Sequence, residues 1–87
     1  MIITWDERKR QANVDKHGLD FSLLNEEFFQ RAIILPAKLG RRMAIGQMDD
    51  GTVVVIFLRL GTEGLSVISM RRPSAQERRL LDEQSKD

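Results

Sequence analysis

His17 is the only histidine in the chain, and so the only side chain whose ordinary pKa lies near neutrality. Proton transfer at neutral pH falls to it first, as general acid or as general base, and the residues do not fix which. Its plain alternative is a helix-end residue that hydrogen-bonds locally and gains from the negative end of the helix dipole. Ser69 and Arg71 stand at i and i+2 in an apolar stretch, which in a strand puts them on one side. A guanidinium gives two directed hydrogen bonds to an oxyanion while keeping its charge, and a neighbouring hydroxyl can hold the same oxygen. A hydrogen-bonded pair at a sheet edge, or a contact to the terminal helix, explains the same residues without chemistry.

Other chemistries drop out. With no cysteine, disulfides, thiolate nucleophiles and zinc sites built on sulfur are excluded. One histidine among scattered carboxylates specifies no coordination set, and the sequence has no phosphate-cradling glycine loop; neither metal nor cofactor is expected. Lys and Arg number 14 against 13 Asp and Glu, a formal net charge of +1. Any recognition of nucleic acid must then come from a local patch rather than a long-range field. The 41% hydrophobic and 31% charged residues describe a folded core under a charged surface. The opening Met1-Ile2-Ile3-Thr4-Trp5-Asp6 lacks the charged and apolar regions of a secretion signal, and no later run suits a membrane span. The cytoplasm is the expected location, with no membrane partner. A chain of 87 residues fits one domain, 1–87, whose core is small enough that help from a partner subunit is expected.

The elements that must position these groups follow from patterning. Residues 2–5 read as a short strand. A helix from 6 to 16 or 17 starts on the Thr4–Glu7 capping-box spacing or on Asp6, and stops at Gly18. Ala12 and Val14 make no apolar stripe, whereas Asp6, Lys9, Arg10, Asn13 and His17 form a polar face that is either solvated or a binding surface. Asp20 caps a second helix that carries Phe21, Leu24 and Phe28 toward a sheet. Trp5, at the strand-to-helix junction, reads as a core anchor. Strands then cover 32–35, ended by Pro36, and 42–47, joined by the basic connection 38–41. Asp49-Asp50-Gly51 turns the chain into 52–60, where the unbroken apolar run 53–58 calls for cover on both faces. Gly61-Thr62-Glu63-Gly64 leads into 65–71, where strict alternation groups Leu65, Val67, Ser69 and Arg71 against Ser66, Ile68 and Met70. Ser74 and Glu77 have capping-box spacing for a closing helix through Leu80 and Leu81 toward Gln84. The fold class is α+β: an N-terminal strand and two helices, then an antiparallel sheet and a C-terminal helix.

Three blocks of residues recur in a known pattern. Trp5-Asp6, Lys9, Asn13 and Lys16-His17-Gly18, with Phe21 after them, form the first; Arg41 through Ala44 with Gly46 forms the second; Ile68-Ser69-Met70-Arg71-Arg72 followed by Glu77 forms the third. In order and spacing they resemble the BrnT family, the toxin halves of bacterial type II toxin–antitoxin modules, over nearly the whole chain. The resemblance implies a compact RelE-like fold, a metal-independent endoribonuclease that restricts growth, and neutralisation by a cognate BrnA-like antitoxin. It also implies that promoter DNA is bound mainly through the antitoxin. The chain departs from the family's usual pattern where Met70 and Pro73 replace alanine, Ser66 arginine, Gly40 glutamate, Leu58 threonine and Leu81 tyrosine. Loss of those polar groups bears on RNA handling. It keeps open a second reading, a catalytically weakened homologue that acts as an antitoxin-binding, autoregulatory partner.

In the chemistry that the resemblance implies, the RNA's own 2′-hydroxyl attacks the phosphorus. The protein then has to help remove that proton, stabilise the phosphoryl charge and assist the departing 5′-oxygen. The resemblance puts His17, Arg71 and Ser69 at these tasks, with Lys9, Asn13, Lys16, Arg41 and Arg59 along the RNA. Salt bridges to nearby acids are the plain alternative for the cations, above all for Lys9.

Overall fold

The chain is α+β in a computed structural model that describes residues 1–84. Its strands are β1 (Ile2–Trp5), β2 (Ile33–Pro36), β3 (Arg42–Met48), β4 (Gly51–Leu60) and β5 (Gly64–Arg71); its helices are α1 (Glu7–His17), α2 (Glu26–Arg31) and α3 (Ala75–Gln84). One five-stranded sheet has the order β1-β5-β4-β3-β2. The sheet is mixed rather than purely antiparallel, because β1 pairs with β5 in parallel while the other neighbours run antiparallel.

The run in β4 is covered on both sides from Val53 to Phe57, and Leu58 at its end is exposed. Val53, Val55 and Phe57 join Phe21, Leu24, Phe28, Phe29, Leu65, Val67 and Met70 in one cluster, with Trp5 packed against it. Val54 turns the other way and meets Ile45 and Leu81 of α3. Helices therefore cover both faces, but α3 is short and reaches only part of its side.

Local chemistry sets the ends of the helices. Asp6, not Thr4, caps α1 by accepting from the Arg8 N–H, and Gly18 ends it in the left-handed region at φ 69°. The expected second helix divides. Asp20 caps a 3-10 turn at Phe21–Leu23, and Asn25 then caps α2 by accepting from the Phe28 N–H. Asn25 competes for the backbone with its own side chain, so a new helix starts where one helix would have continued. Phe28 and Phe29 meet edge to face at 5.2 Å, and Phe29 meets Phe57 at 5.3 Å, which fixes α2 on the sheet.

Candidate functional site

The C-terminal half of β5 delivers the two strand candidates, with one correction to the alternation. Ser69 pairs with Ile56 but Val67 pairs with Phe57, so Ile68 is an extra residue opposite that step, a β-bulge. The bulge reverses the facing of everything after it. Leu65, Val67 and Met70 share the face under α1 and α2, while Ser69 and Arg71 join Val54 and Ile56 on the α3 face. Ser69 and Arg71 do lie together, but opposite the apolar residues they were grouped with.

Arg71 is engaged. Its Nη1 donates to Glu77 Oε1 at 2.7 Å and its Nη2 to Glu77 Oε2 at 2.9 Å. Nη1 also reaches the Arg72 carbonyl at 3.3 Å, and Nη2 lies 3.9 Å from Met43 Sδ. Glu77 closes the capping box of α3 as well, accepting from the Ser74 N–H at 2.8 Å while its own N–H donates to Ser74 Oγ at 3.2 Å. These donors, the Arg71 guanidinium first, hold the Glu77 carboxyl down to about 2, and Glu77 in turn raises the pKa of Arg71. The contact to the terminal helix foreseen as the plain alternative for Arg71 is thus present.

Around this pair the α3 face stays partly open. Met43, Ile56 and Ser69 form one row across β3, β4 and β5; Leu58, Ser66 and Thr4 form the next across β4, β5 and β1. Leu58, Leu60 and Ile2 are 36%, 51% and 63% exposed. Three departures from the family pattern, Leu58, Ser66 and the α3 residue Leu81, therefore share the face that carries Ser69 and Arg71. Arg41, half-buried and extended just before β3, carries no side-chain hydrogen bond or ion pair among the described residues. Its parity matches Met43, which directs it to this face. Arg59 does not belong there: it pairs with Leu65 and leaves the sheet on the opposite side.

From the polar side of α1 one residue, Asn13, turns inward, whereas Asp6, Lys9 and His17 stay exposed. Asn13 is 6% exposed. Its Nδ2 donates to the Leu19 carbonyl and its Oδ1 accepts from the Met70 N–H, both at 3.0 Å. β1 pairs with β5 only as far as Val67, so the Asn13 amide serves the strand edge beyond the end of β1. Asn13, expected along the RNA, has both ends of its amide engaged within the fold. Arg10 bridges Glu7 and, at 3.0 Å, Asp20. His17, one turn after Asn13, is exposed, as are Lys9 and Lys16. None of these three has a side-chain hydrogen bond or ion pair among the described residues, so the salt bridge that stood as the plain alternative for Lys9 is not formed.

Two groupings result: Ser69, Arg71 and Arg41 on the open sheet face, and Lys9, Lys16 and His17 along α1. Asn13 ties α1 to the Met70 N–H, between Ser69 and Arg71 in the chain, while α1 itself packs on the face opposite those two side chains. Glu77 is the member that sequence reasoning missed as a partner of Arg71, since its capping-box spacing signalled only a helix start. A separate cleft of about 790 Å³ is rimmed by Asp20, Glu27, Asp49 and Asp50 and includes none of the sequence candidates. No group of three or more His, Cys, Asp or Glu among the described residues is placed to hold a metal ion. No helix among them is long and apolar enough to cross a membrane.

Residues 5–77 match the family described as the ribonuclease toxin BrnT of type II toxin–antitoxin systems. The chain is similar to the Brucella abortus ribonuclease toxin BrnT, whose crystal structure was solved at 1.1 Å, with 53% identity and a TM-score of 0.79. That similarity covers 85% of this chain and 97% of the other. No curated protein sequence matches.

Proposed function

The chain belongs to the BrnT family of ribonuclease toxins from type II toxin–antitoxin systems, and from that premise we propose that it is a metal-independent endoribonuclease. The observation that carries this reading is the pairing of Ser69 and Arg71 on an open sheet face in a chain 53% identical to a ribonuclease toxin. Arg71 stabilises charge on the transferring phosphoryl group, and Ser69 holds one of its oxygens or a sugar hydroxyl. His17 moves the proton, either from the attacking 2′-oxygen or to the departing 5′-oxygen. Lys9 and Lys16 guide the backbone from α1, and Arg41 from the sheet. The activity restricts growth in the cytoplasm until a BrnA-like antitoxin covers the toxin, and promoter DNA is reached mainly through that antitoxin.

The test is antitoxin-free protein incubated with diverse single-stranded RNAs in the presence of chelator. Cleavage that survives chelation, falls with Arg71→Ala and changes its pH profile with His17→Ala is the expected result. A second reading draws on Leu58, which faces Ser66 across β4 and β5 on the same face and presents a hydrocarbon to the site. In that reading the chain is a weakened homologue that binds its antitoxin and regulates. A folded protein that leaves every RNA intact yet binds a cognate BrnA-like antitoxin would establish it.

A further inference from the structure

The ribonuclease reading gives Arg71 a phosphate to hold, but it does not say which of its N–H groups remain for one. The end-on pair is taken by the two oxygens of Glu77, and Nη1 also donates to the Arg72 carbonyl. What remains is the side edge, Nε–H with the second Nη2–H. Nε has no partner among the described residues, and Nη2 faces Met43 Sδ at 3.9 Å, a weak acceptor. Met43 shares its row across the sheet with Ile56 and Ser69.

Resting on the ribonuclease reading, we propose that Glu77 is a positioning residue. By holding the Arg71 guanidinium end-on, it turns the side edge toward Met43, Ile56 and Ser69, where one RNA phosphate is bound. A phosphate oxygen replaces the thioether as acceptor for Nη2–H, a second accepts from Nε–H, and Ser69 Oγ lies in the same row to donate to another. Glu77 also fixes where this seat lies relative to α3, because the same Oε1 accepts the Ser74 N–H of the capping box. A carboxylate held at about 2 is a poor proton acceptor at neutral pH, which suits a positioning role rather than that of a base.

Three variants separate the possibilities. Glu77→Gln keeps a side chain that suits the capping box but removes the charge that aligns Arg71. Ser74→Ala weakens the same helix start and leaves the Arg71–Glu77 pair. Arg71→Ala removes the proposed ligand. Two readouts are taken: inorganic phosphate titrated against the Arg71 Nε–H resonance, and cleavage of a fluorescein-labelled single-stranded RNA of mixed sequence. In the parent, phosphate moves the Nε–H resonance. Glu77→Gln is expected to weaken phosphate binding and lower kcat, each by roughly tenfold, the size of one misaligned charge-assisted contact. Ser74→Ala should change both by less than about twofold while lowering the melting temperature. Unchanged or tighter phosphate binding in Glu77→Gln would overturn the inference, the tighter result meaning that Glu77 competes with phosphate for the fork. A parent Nε–H resonance unmoved by phosphate would overturn it too. If Arg71→Ala cleaves as well as the parent, the ribonuclease reading of Arg71 fails first, and the inference with it.

Discussion

Asn13 shows why a polar residue can matter more than its surroundings suggest. It is the only buried polar or charged residue among those described, and both ends of its amide are used, one on the Leu19 carbonyl and one on the Met70 N–H. Asn13→Ala leaves a buried donor and a buried acceptor unserved, at about 1–3 kcal/mol each. A urea denaturation midpoint equal to the parent's would contradict that expectation. Asn13→Asp keeps the acceptor for Met70 and loses the donor to Leu19, so its cost should not vanish. Glu77 gives the second prediction at this scale. Its pKa is depressed from 4.5 to about 2, so it stabilises the fold fully above the unfolded value and loses that contribution as pH falls through the folded one. Stability should therefore drop between about pH 5 and pH 2, and Glu77→Gln should flatten that part of the profile. Neither role was legible in the sequence. Periodicity marks which side of a helix is polar, but not whether that side meets water or a strand edge, and Glu77 carried only its capping signal.

Among the elements, Gly46 in β3 records how closely α2 approaches the sheet. A Cβ there would lie 2.7 Å from Phe28 Cε2, 3.0 Å from Phe28 Cζ and 3.1 Å from the Ala32 Cβ. Phe28 is itself buried against Phe29, so the ring has little room to give. Gly46→Ala is expected to cost about 1–3 kcal/mol through overpacking, a fall in melting temperature of at least about 4 °C for a chain of this size. Thermal unfolding with no fall would show that α2 is more loosely seated than its ring contacts indicate. Much of this architecture could be read beforehand. The valine run of β4, the Gly18 stop, the turn before β4 and the capping box of α3 are local signals that tertiary packing did not override. What escaped were events in which a side chain displaces backbone regularity. Asn25 starts a new helix where the Phe21, Leu24 and Phe28 spacing suggested one, and the bulge at Ile68 reverses a face that strict alternation assigned. A bulge is set by how one strand fits its neighbour, and no single strand's sequence contains that fit.

For the whole molecule, a net charge of +1 makes the salt dependence of RNA binding a direct count of local contacts, since long-range attraction is nearly absent. Cations already spent on carboxylates contribute little to such a count. Arg10, Arg31 and Arg72 are ion-paired, whereas Lys9, Lys16 and Arg41 have no partner among the described residues. Arg71 is neutralised by Glu77 but keeps an Nε–H without a partner among the described residues. Three or four phosphate contacts to a single strand correspond to a slope of about −2 to −3 in log K against log salt. Measured by fluorescence anisotropy over a range of potassium chloride, a slope near zero would remove RNA as the ligand of these groups. A slope steeper than about −4 would require contacts beyond them. Single replacements then locate the strand. Lys9→Ala and Lys16→Ala are each expected to make the slope shallower by about 0.7, because each removes one released counterion without touching the core. Arg59→Ala should leave the slope unchanged, because Arg59 pairs with Leu65 at the far end of β5 from Ser69, Arg71 and the Met70 N–H that holds α1. If Arg59→Ala makes the slope shallower as Lys16→Ala does, the RNA must run along the length of β5 rather than past its C-terminal end, and the seat beside Arg71 would then be one point on a longer track.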